Sequence, residues 1–192
     1  PGKPLALLWG KPMLQHVWER ARGAEGLDAL VIATDDERIA TAARSWGAEV
    51  VMTSPDCTSG TDRVAEASRA MPAFDLILNL QGDEPELETA AVTTLVRAMQ
   101  ADPELRMGTI AHHEPDLSLM QSENVVKVVV DDAGLALYFS RADLANASKG
   151  GPALRHAGVY AFRRDLLQEF ATWPPGKLEF DVAAIDTLIS AS

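Results

Sequence analysis

Hydrophobic positions along the chain follow two periods. Met13, Leu14, Val17 and Ala21 recur at helical spacing behind Lys11-Pro12, and proline suits a first helical turn. Leu30-Val31-Ile32-Ala33-Thr34 is short and almost continuously apolar, as in a buried strand, and Asp35-Asp36 hands it over to a helix cap. Residues 37–46 read as that helix, and Gly47 is placed to stop it. A strand at 49–52, a helix at 61–70, a strand at 76–80 and a helix at 89–101 follow.

Strands alternating with helices predict right-handed crossovers and a largely parallel sheet covered on both faces. Ligands of such sheets gather beyond the carboxyl ends of the strands, where Asp35 and Asp83 both fall. The second half changes character. Strand candidates at 107–112, 125–130, 136–140 and 158–163 have fewer helices between them, so a mixed sheet is expected there. Asp131-Asp132-Ala133-Gly134 is a hairpin turn. The small polar residues of 145–152 predict a mobile loop.

Composition narrows the function classes. At 192 residues, 47% hydrophobic and 23% charged, the chain is long enough for one well-filled globular domain. No apolar run reaches the roughly 18–20 residues that cross a bilayer. The first residues carry no export signal and Cys57 is the single cysteine, so a reducing cytoplasm is the expected setting. Seventeen basic against twenty-eight acidic residues give a net charge of −11, which argues against nucleic-acid binding. Small anions remain possible ligands, because a few cations gathered in one cleft can hold a triphosphate.

Chemistry-bearing residues fall in five places. Asp83, behind Gly82 at a strand end and ahead of Glu84-Pro85, is open to a hard cation such as Mg²⁺. On spacing alone, an Asp that only caps the next helix is the stronger reading. Ser59-Gly60-Thr61-Asp62-Arg63 opens a helix and offers hydroxyls, amides and a guanidinium to an anion or a base edge; an ordinary N-cap on Ser59 or Thr61 competes. Lys3 fits either a phosphate contact or a solvated lysine. His156, Gly158 and Tyr160 alternate along one strand, as a small polar ligand or a half-buried edge strand would require. Arg141 suits a bidentate carboxylate contact. His112 and His113 point opposite ways in a strand and do not share a metal, and Cys57 is a thiol without a role. Walker A, GxGxxG and nucleophile–base–acid patterns are absent.

The order of these motifs says more than any one of them. Pro-Gly-Lys-Pro-Leu at 1–5, Gly-Lys-Pro-Met at 10–13, Ala-Thr-Asp-Asp at 33–36 and Ser-Gly-Thr-Asp-Arg at 59–63 come first. Gln-Gly-Asp-Glu-Pro at 81–85, Asn-Val-Val-Lys-Val-Val at 124–129, Ala-Leu-Tyr-Phe-Ser-Arg at 136–141 and Arg-His-Ala-Gly-Val-Tyr at 155–160 follow. The series closely resembles the 3-deoxy-manno-octulosonate cytidylyltransferase (CMP-KDO synthetase) family from Pro1 to about Glu179. The resemblance implies a Rossmann-like three-layer α/β/α sandwich with a mixed sheet, the nucleotide-diphospho-sugar transferase fold. It implies a cytoplasmic homodimer that uses Mg²⁺ to make CMP-KDO and pyrophosphate from CTP and 3-deoxy-D-manno-octulosonate (KDO) for lipopolysaccharide synthesis. By the same resemblance Lys3 contacts the triphosphate, Ser59, Thr61 and Arg63 hold the nucleotide, and Gln81 lies between nucleotide and sugar. Asp83 ligates the metal, and Arg141, His156 and Tyr160 line the sugar-acid pocket.

Two departures qualify the resemblance. The family has a first strand and an Ile-Pro-Ala-Arg-x-x-Ser-x-Arg-Leu phosphate loop ahead of Pro-Gly-Lys-Pro, and a Val-Asp-Thr-Pro-Glu-Asp-Leu segment near its end. One cytidylyltransferase domain over 1–192 is therefore expected, without that strand and loop and without the C-terminal segment. Loss of the strand would expose flanking sheet edges. Residues 185–188 are expected to match a family helix, with an echo of the Asp-Thr metal segment at Asp186-Thr187 as the alternative. The usual Ile-Pro after Ser-Arg is also missing. A non-catalytic remnant and an enzyme for another keto sugar acid are the competing readings.

Overall fold

The computed structural model describes residues 2–143, 154–173 and 187–191. Two compact units result, Pro1–Gly108 with Val159–Ser192, and Thr109–Gly158.

The larger unit begins with a 3₁₀ turn at Lys3–Leu5 and a small antiparallel pair, β1 (Leu7–Leu8) and β2 (Lys11–Pro12). Pro12 leads into α1 (Met13–Ala21), which buries Met13, Leu14, Val17 and Ala21, the stripe that its spacing predicts, and Trp18 beside them. β3 (Ala29–Thr34) runs into α2 (Glu37–Ser45), whose first turn is capped by the Asp36 carboxylate accepting from Arg38 N at 2.8 Å. At its other end Gly47 takes φ 84°, donating to Arg44 O while Ala48 N reaches Ala43 O. That is the Schellman arrangement, and glycine is used because the left-handed conformation is costly for other residues. β4 (Glu49–Met52), α3 (Gly60–Arg69), β5 (Leu76–Gln81) and α4 (Thr89–Ala101) complete the alternation. β6 (Met107–His112) crosses into the second unit.

The smaller unit holds α5 (Leu117–Gln121), β7 (Lys127–Val130) and β8 (Ala136–Ser140). β7 and β8 form an antiparallel hairpin, closed by Asp131 N donating to Leu135 O at 2.9 Å, with Gly134 at φ 82°. β9 (Leu154–Arg163) pairs through Leu154 and Arg155 with β7, then passes into the larger unit and leads to α6 (Arg164–Phe170). The expected loop at 145–152 lies outside the described residues.

Strand order in the larger unit is β4, β3, β10, β5, β9, where β10 is Thr187–Ala191. β3 and β4 are parallel, and β5 shares their direction, as the helix–strand alternation requires. β10 and β9 run against them, so the largely parallel sheet becomes a mixed one here too. The helix expected at 185–188 is corrected by this strand: Thr187 and Leu188 open β10, opposite Ala33 and Ile32 on one side and Gln81 and Leu80 on the other. Short apolar runs do not separate helix from strand by period alone, and two strand edges here supply hydrogen-bond partners. Asp186 lies outside the described residues.

The core under α3 and α6 gathers Val31, Ala33, Val64, Ala67, Ile77 and Phe162. Arg164 ties the two helices together through backbone. Its guanidinium donates to Phe74 O at 2.6 Å, Ser68 O at 2.8 Å and Met71 O at 2.5 Å, taking up carbonyls left over where α3 ends. Hydrogen bonds to a charged donor contribute more than neutral ones, so Arg164→Ala should cost about 3 kcal/mol. The check is a urea titration: a lower midpoint at unchanged slope is expected, and an unmoved midpoint would refute the clamp.

Candidate functional site

β5 carries five buried residues and then Gln81 to the carboxyl edge of the sheet, followed by buried Gly82 and half-buried Asp83. The turn closes through Glu84 N donating to Gln81 O at 3.3 Å. Asp83 does not cap a helix, since α4 starts from Glu88, which makes no side-chain cap. The Asp83 carboxylate instead accepts from Lys3 Nζ at 2.6 Å, across 80 positions of sequence. The Lys3 side chain is 68% exposed and that of Asp83 19%, so the ammonium keeps donors turned to solvent. Close by along the sheet, Tyr160 stands opposite Asn79 on β9. Burial, with the negative charge of Glu84, raises its phenol above the usual range, so the hydroxyl stays protonated.

The start of α3 forms the second part. Ser59 Oγ accepts from Asp62 N at 3.1 Å while the Asp62 carboxylate accepts from Ser59 N at 3.1 Å, a complete capping box. Ser59 is therefore the cap that the competing reading called for. Thr61 Oγ1 accepts from Asn79 Nδ2 at 3.4 Å. Arg63 is 2% exposed, and its guanidinium donates to Thr53 Oγ1 at 2.6 Å and pairs with the Asp35 carboxylate at 3.2 Å. Among the described residues, Arg63 Nε and Asn79 Oδ1 are buried and lack a partner. Such groups cost about 1–3 kcal/mol each, and ligand sites are where proteins tolerate them.

The smaller unit carries Arg141 and His156. Arg141 Nη1 donates to Glu123 O at 3.3 Å and Asn124 O at 3.2 Å, which orients the guanidinium while leaving the residue exposed. His156 is half-buried, with Nε2 2.8 Å from Thr109 Oγ1 and the Phe139 ring edge-on at 4.9 Å between centroids. Desolvation brings its imidazole down to about 4, so it is neutral at physiological pH. His112 lies 4.0 Å from Glu114 and is half exposed. Cys57 Sγ donates to Glu66 at 3.2 Å, and burial pushes the thiol up to about 11, too high for a nucleophile.

Sequence reasoning placed Lys3, Ser59, Thr61, Arg63, Gln81, Asp83 and Tyr160 in what is one unit, and Arg141 and His156 in the other. It passed over Asn79, Thr53 and Thr109. Asn79 had a signal, a lone amide inside the apolar run Leu76-Ile77-Leu78-Asn79-Leu80, where a buried polar group needs a reason.

A cytidylyltransferase family model matches residues 1–184. The chain belongs to the cytidylyltransferase family. Within it, a 3-deoxy-manno-octulosonate cytidylyltransferase from Anaeromyxobacter sp. (strain Fw109-5) is 53% identical over 184 residues, covering 93% of this chain and 73% of the relative. An 8-amino-3,8-dideoxy-manno-octulosonate cytidylyltransferase from Shewanella sp. (strain ANA-3) is 43% identical, covering 93% and 75%. A solved structure of CMP:2-keto-3-deoxy-manno-octonic acid synthetase complexed with CTP superposes at TM-score 0.83, with 42% identity over 92% of this chain and 73% of that one. The fold is the nucleotide-diphospho-sugar transferase fold, as the motif order implied.

A cytidylyltransferase-family chain with a neutral, half-buried histidine should lose stability on mild acidification. The folded value for His156, about 4, lies below the ordinary 6.5, so the unfolded chain takes the proton first. His156 thus contributes stability above about pH 6.5 that declines as pH falls through 4. Unfolding midpoints at pH 7, 5.5 and 4.5 should fall more steeply in the wild type than in His156→Gln; parallel curves would count against a buried neutral imidazole.

Proposed function

We propose that this chain transfers CMP from CTP to KDO with release of pyrophosphate, in the cytoplasm and on the route to lipopolysaccharide, using Mg²⁺. The observation that carries the reading is the Lys3–Asp83 pair, a cation and a carboxylate 2.6 Å apart beyond the carboxyl end of β5. Support comes from the Anaeromyxobacter relative's name and from the CTP in the similar synthetase structure. The donor set fits Mg²⁺. Among the described residues no cluster of three or more His, Cys, Asp or Glu could hold a metal, and Mg²⁺ needs only one or two carboxylates beside water and phosphate oxygens. Asp83 would hold the ion, which when bound supplies charge neutralisation on the phosphates.

The chemistry needs little else. The anomeric hydroxyl oxygen of the sugar acid attacks the α-phosphorus and loses its proton, and pyrophosphate leaves in line as the bond to its bridging oxygen breaks. Lys3 neutralises the triphosphate, while Ser59, Thr61, Arg63 and Gln81 hold the nucleotide. Ser59 and Arg63 do so from positions fixed by the capping box and by Asp35 with Thr53. Gln81, Arg141, His156 and Tyr160 bind the sugar acid. Arg141 answers its carboxylate, and the neutral His156 and protonated Tyr160 offer hydrogen bonds to hydroxyls without a competing charge. A homodimer completes the reading, supported by the apolar strip at Leu135, Leu137, Tyr138 and Phe139, each more than 40% exposed. The Shewanella relative favours a second substrate, the 8-amino-3,8-dideoxy sugar acid.

The test is pyrophosphate release by the full-length native protein with CTP, Mg²⁺ and KDO, run beside the 8-amino sugar acid. KDO-dependent release is expected, and Asp83→Asn should lower it by about 10²–10³-fold with folding intact. Absence of release with every keto sugar acid would sink the proposal, and preference for the amino sugar would move it to the second substrate.

A further inference from the structure

Lys127 is fully buried, at 0% exposure, and interrupts the apolar run Val125-Val126-Lys127-Val128-Val129. Among the described residues no carboxylate pairs with it. Its ammonium instead donates to three backbone carbonyls, Ser122 O at 2.9 Å, Val125 O at 2.9 Å and Arg141 O at 2.5 Å. All three donors are used, which is what a buried ammonium requires. Desolvation nonetheless lowers its pKa, opposed by the charges of Asp143 and Glu123.

The neighbouring carbonyls complete the pattern. Glu123 O and Asn124 O accept from the Arg141 guanidinium, and Val126 O accepts from the backbone N–H of His156 at 2.9 Å. Five consecutive carbonyls, 122 to 126, thus connect Lys127, Arg141 and His156. Lys127 holds the two ends of the Arg141 restraint, the carbonyl of Arg141 itself and the loop on which its guanidinium rests. No other charged donor reaches this segment among the described residues.

We propose that Lys127 is a positioning residue for sugar-acid recognition, fixing the 122–126 carbonyls and the Arg141 backbone so that Arg141 and His156 stand in binding geometry. This rests on the reading that Arg141 and His156 meet the sugar acid. A buried cation spent on backbone alone is a costly way to gain stability, since an apolar residue of similar size would avoid its desolvation. Methionine is that residue, and the run around Lys127 is otherwise valine.

The experiment compares Lys127→Met, Lys127→Arg and Arg141→Ala in the full-length enzyme, measuring KM for KDO and for CTP separately and CTP binding by calorimetry. For Lys127→Met we expect KM for KDO to rise roughly tenfold or more while KM and Kd for CTP stay within about twofold, with a smaller rise in Lys127→Arg. Equal weakening toward both substrates, or loss of CTP binding in both Lys127 variants, assigns Lys127 to general stability and overturns the proposal. An unchanged KM for KDO overturns it as well. Arg141→Ala separates the two levels. If it leaves KM for KDO unmoved, the reading of Arg141 fails; if it raises KM while Lys127→Met does not, only the positioning role fails.

Discussion

The contact on which the larger unit's site depends is the buried guanidinium of Arg63. At 2% exposure it has left water, so oxygen must surround it, and the chain supplies that oxygen from Asp35 beyond β3 and Thr53 beyond β4. The consequence is geometric. α3 is pinned by its first turn to the carboxyl edges of two strands, while Thr61 touches Asn79 on a third. The capping box then fixes the helix start itself, so Ser59, Thr61 and Arg63 hold their places before any ligand arrives. Preorganised donors of this kind are what a phosphoryl transfer without covalent catalysis requires.

How much of this can be read from the residues depends on the range of the interaction. α4 begins and ends where its spacing says, because Val92, Leu95, Val96 and Met99 recur on one face. The Schellman stop at Gly47 and the hairpin at Asp131–Gly134 are equally local, set by single residues that tolerate positive φ. Motif order carried the family, with Ala-Thr-Asp-Asp, Ser-Gly-Thr-Asp-Arg and Gln-Gly-Asp-Glu-Pro each marking the end of a strand or the start of a helix. Interactions made across distance were not legible. Nothing in Lys3 singles out Asp83, 80 positions away, and the turn alone favoured a cap. Thr187-Leu188-Ile189-Ser190-Ala191 is too short for its period to separate helix from strand, and its pairing with both β3 and β5 is decided by the two edges it meets.

Buried polar residues were the signal least used. Asn79 and Lys127 each break an apolar strand: three carbonyls take up the Lys127 ammonium, whereas Asn79 gives its Nδ2 to Thr61 and keeps a buried Oδ1 without a partner. A polar residue kept in such a place must be matched there, so it marks where several segments have to meet. Read that way, the two interruptions point to the Thr61 layer in one unit and to the 122–126 carbonyls in the other.

The remaining question is which cations serve ligands and which serve the fold, in a chain with a net charge of −11. Exposure and partner type separate them. Arg63 and Lys127 are enclosed, and Arg164 spends its guanidinium on three carbonyls, so their charge is committed to backbone and side-chain oxygens. Lys3 is 68% exposed and bound through one contact, and Arg141 is exposed with its guanidinium resting on two long carbonyl contacts. Charge held in this way keeps donors open to an arriving phosphate or carboxylate. The enclosed cations cannot move at all without opening the structure. Fixed cations thus set geometry in this acidic chain, while Lys3 and Arg141 keep their charge open to solvent.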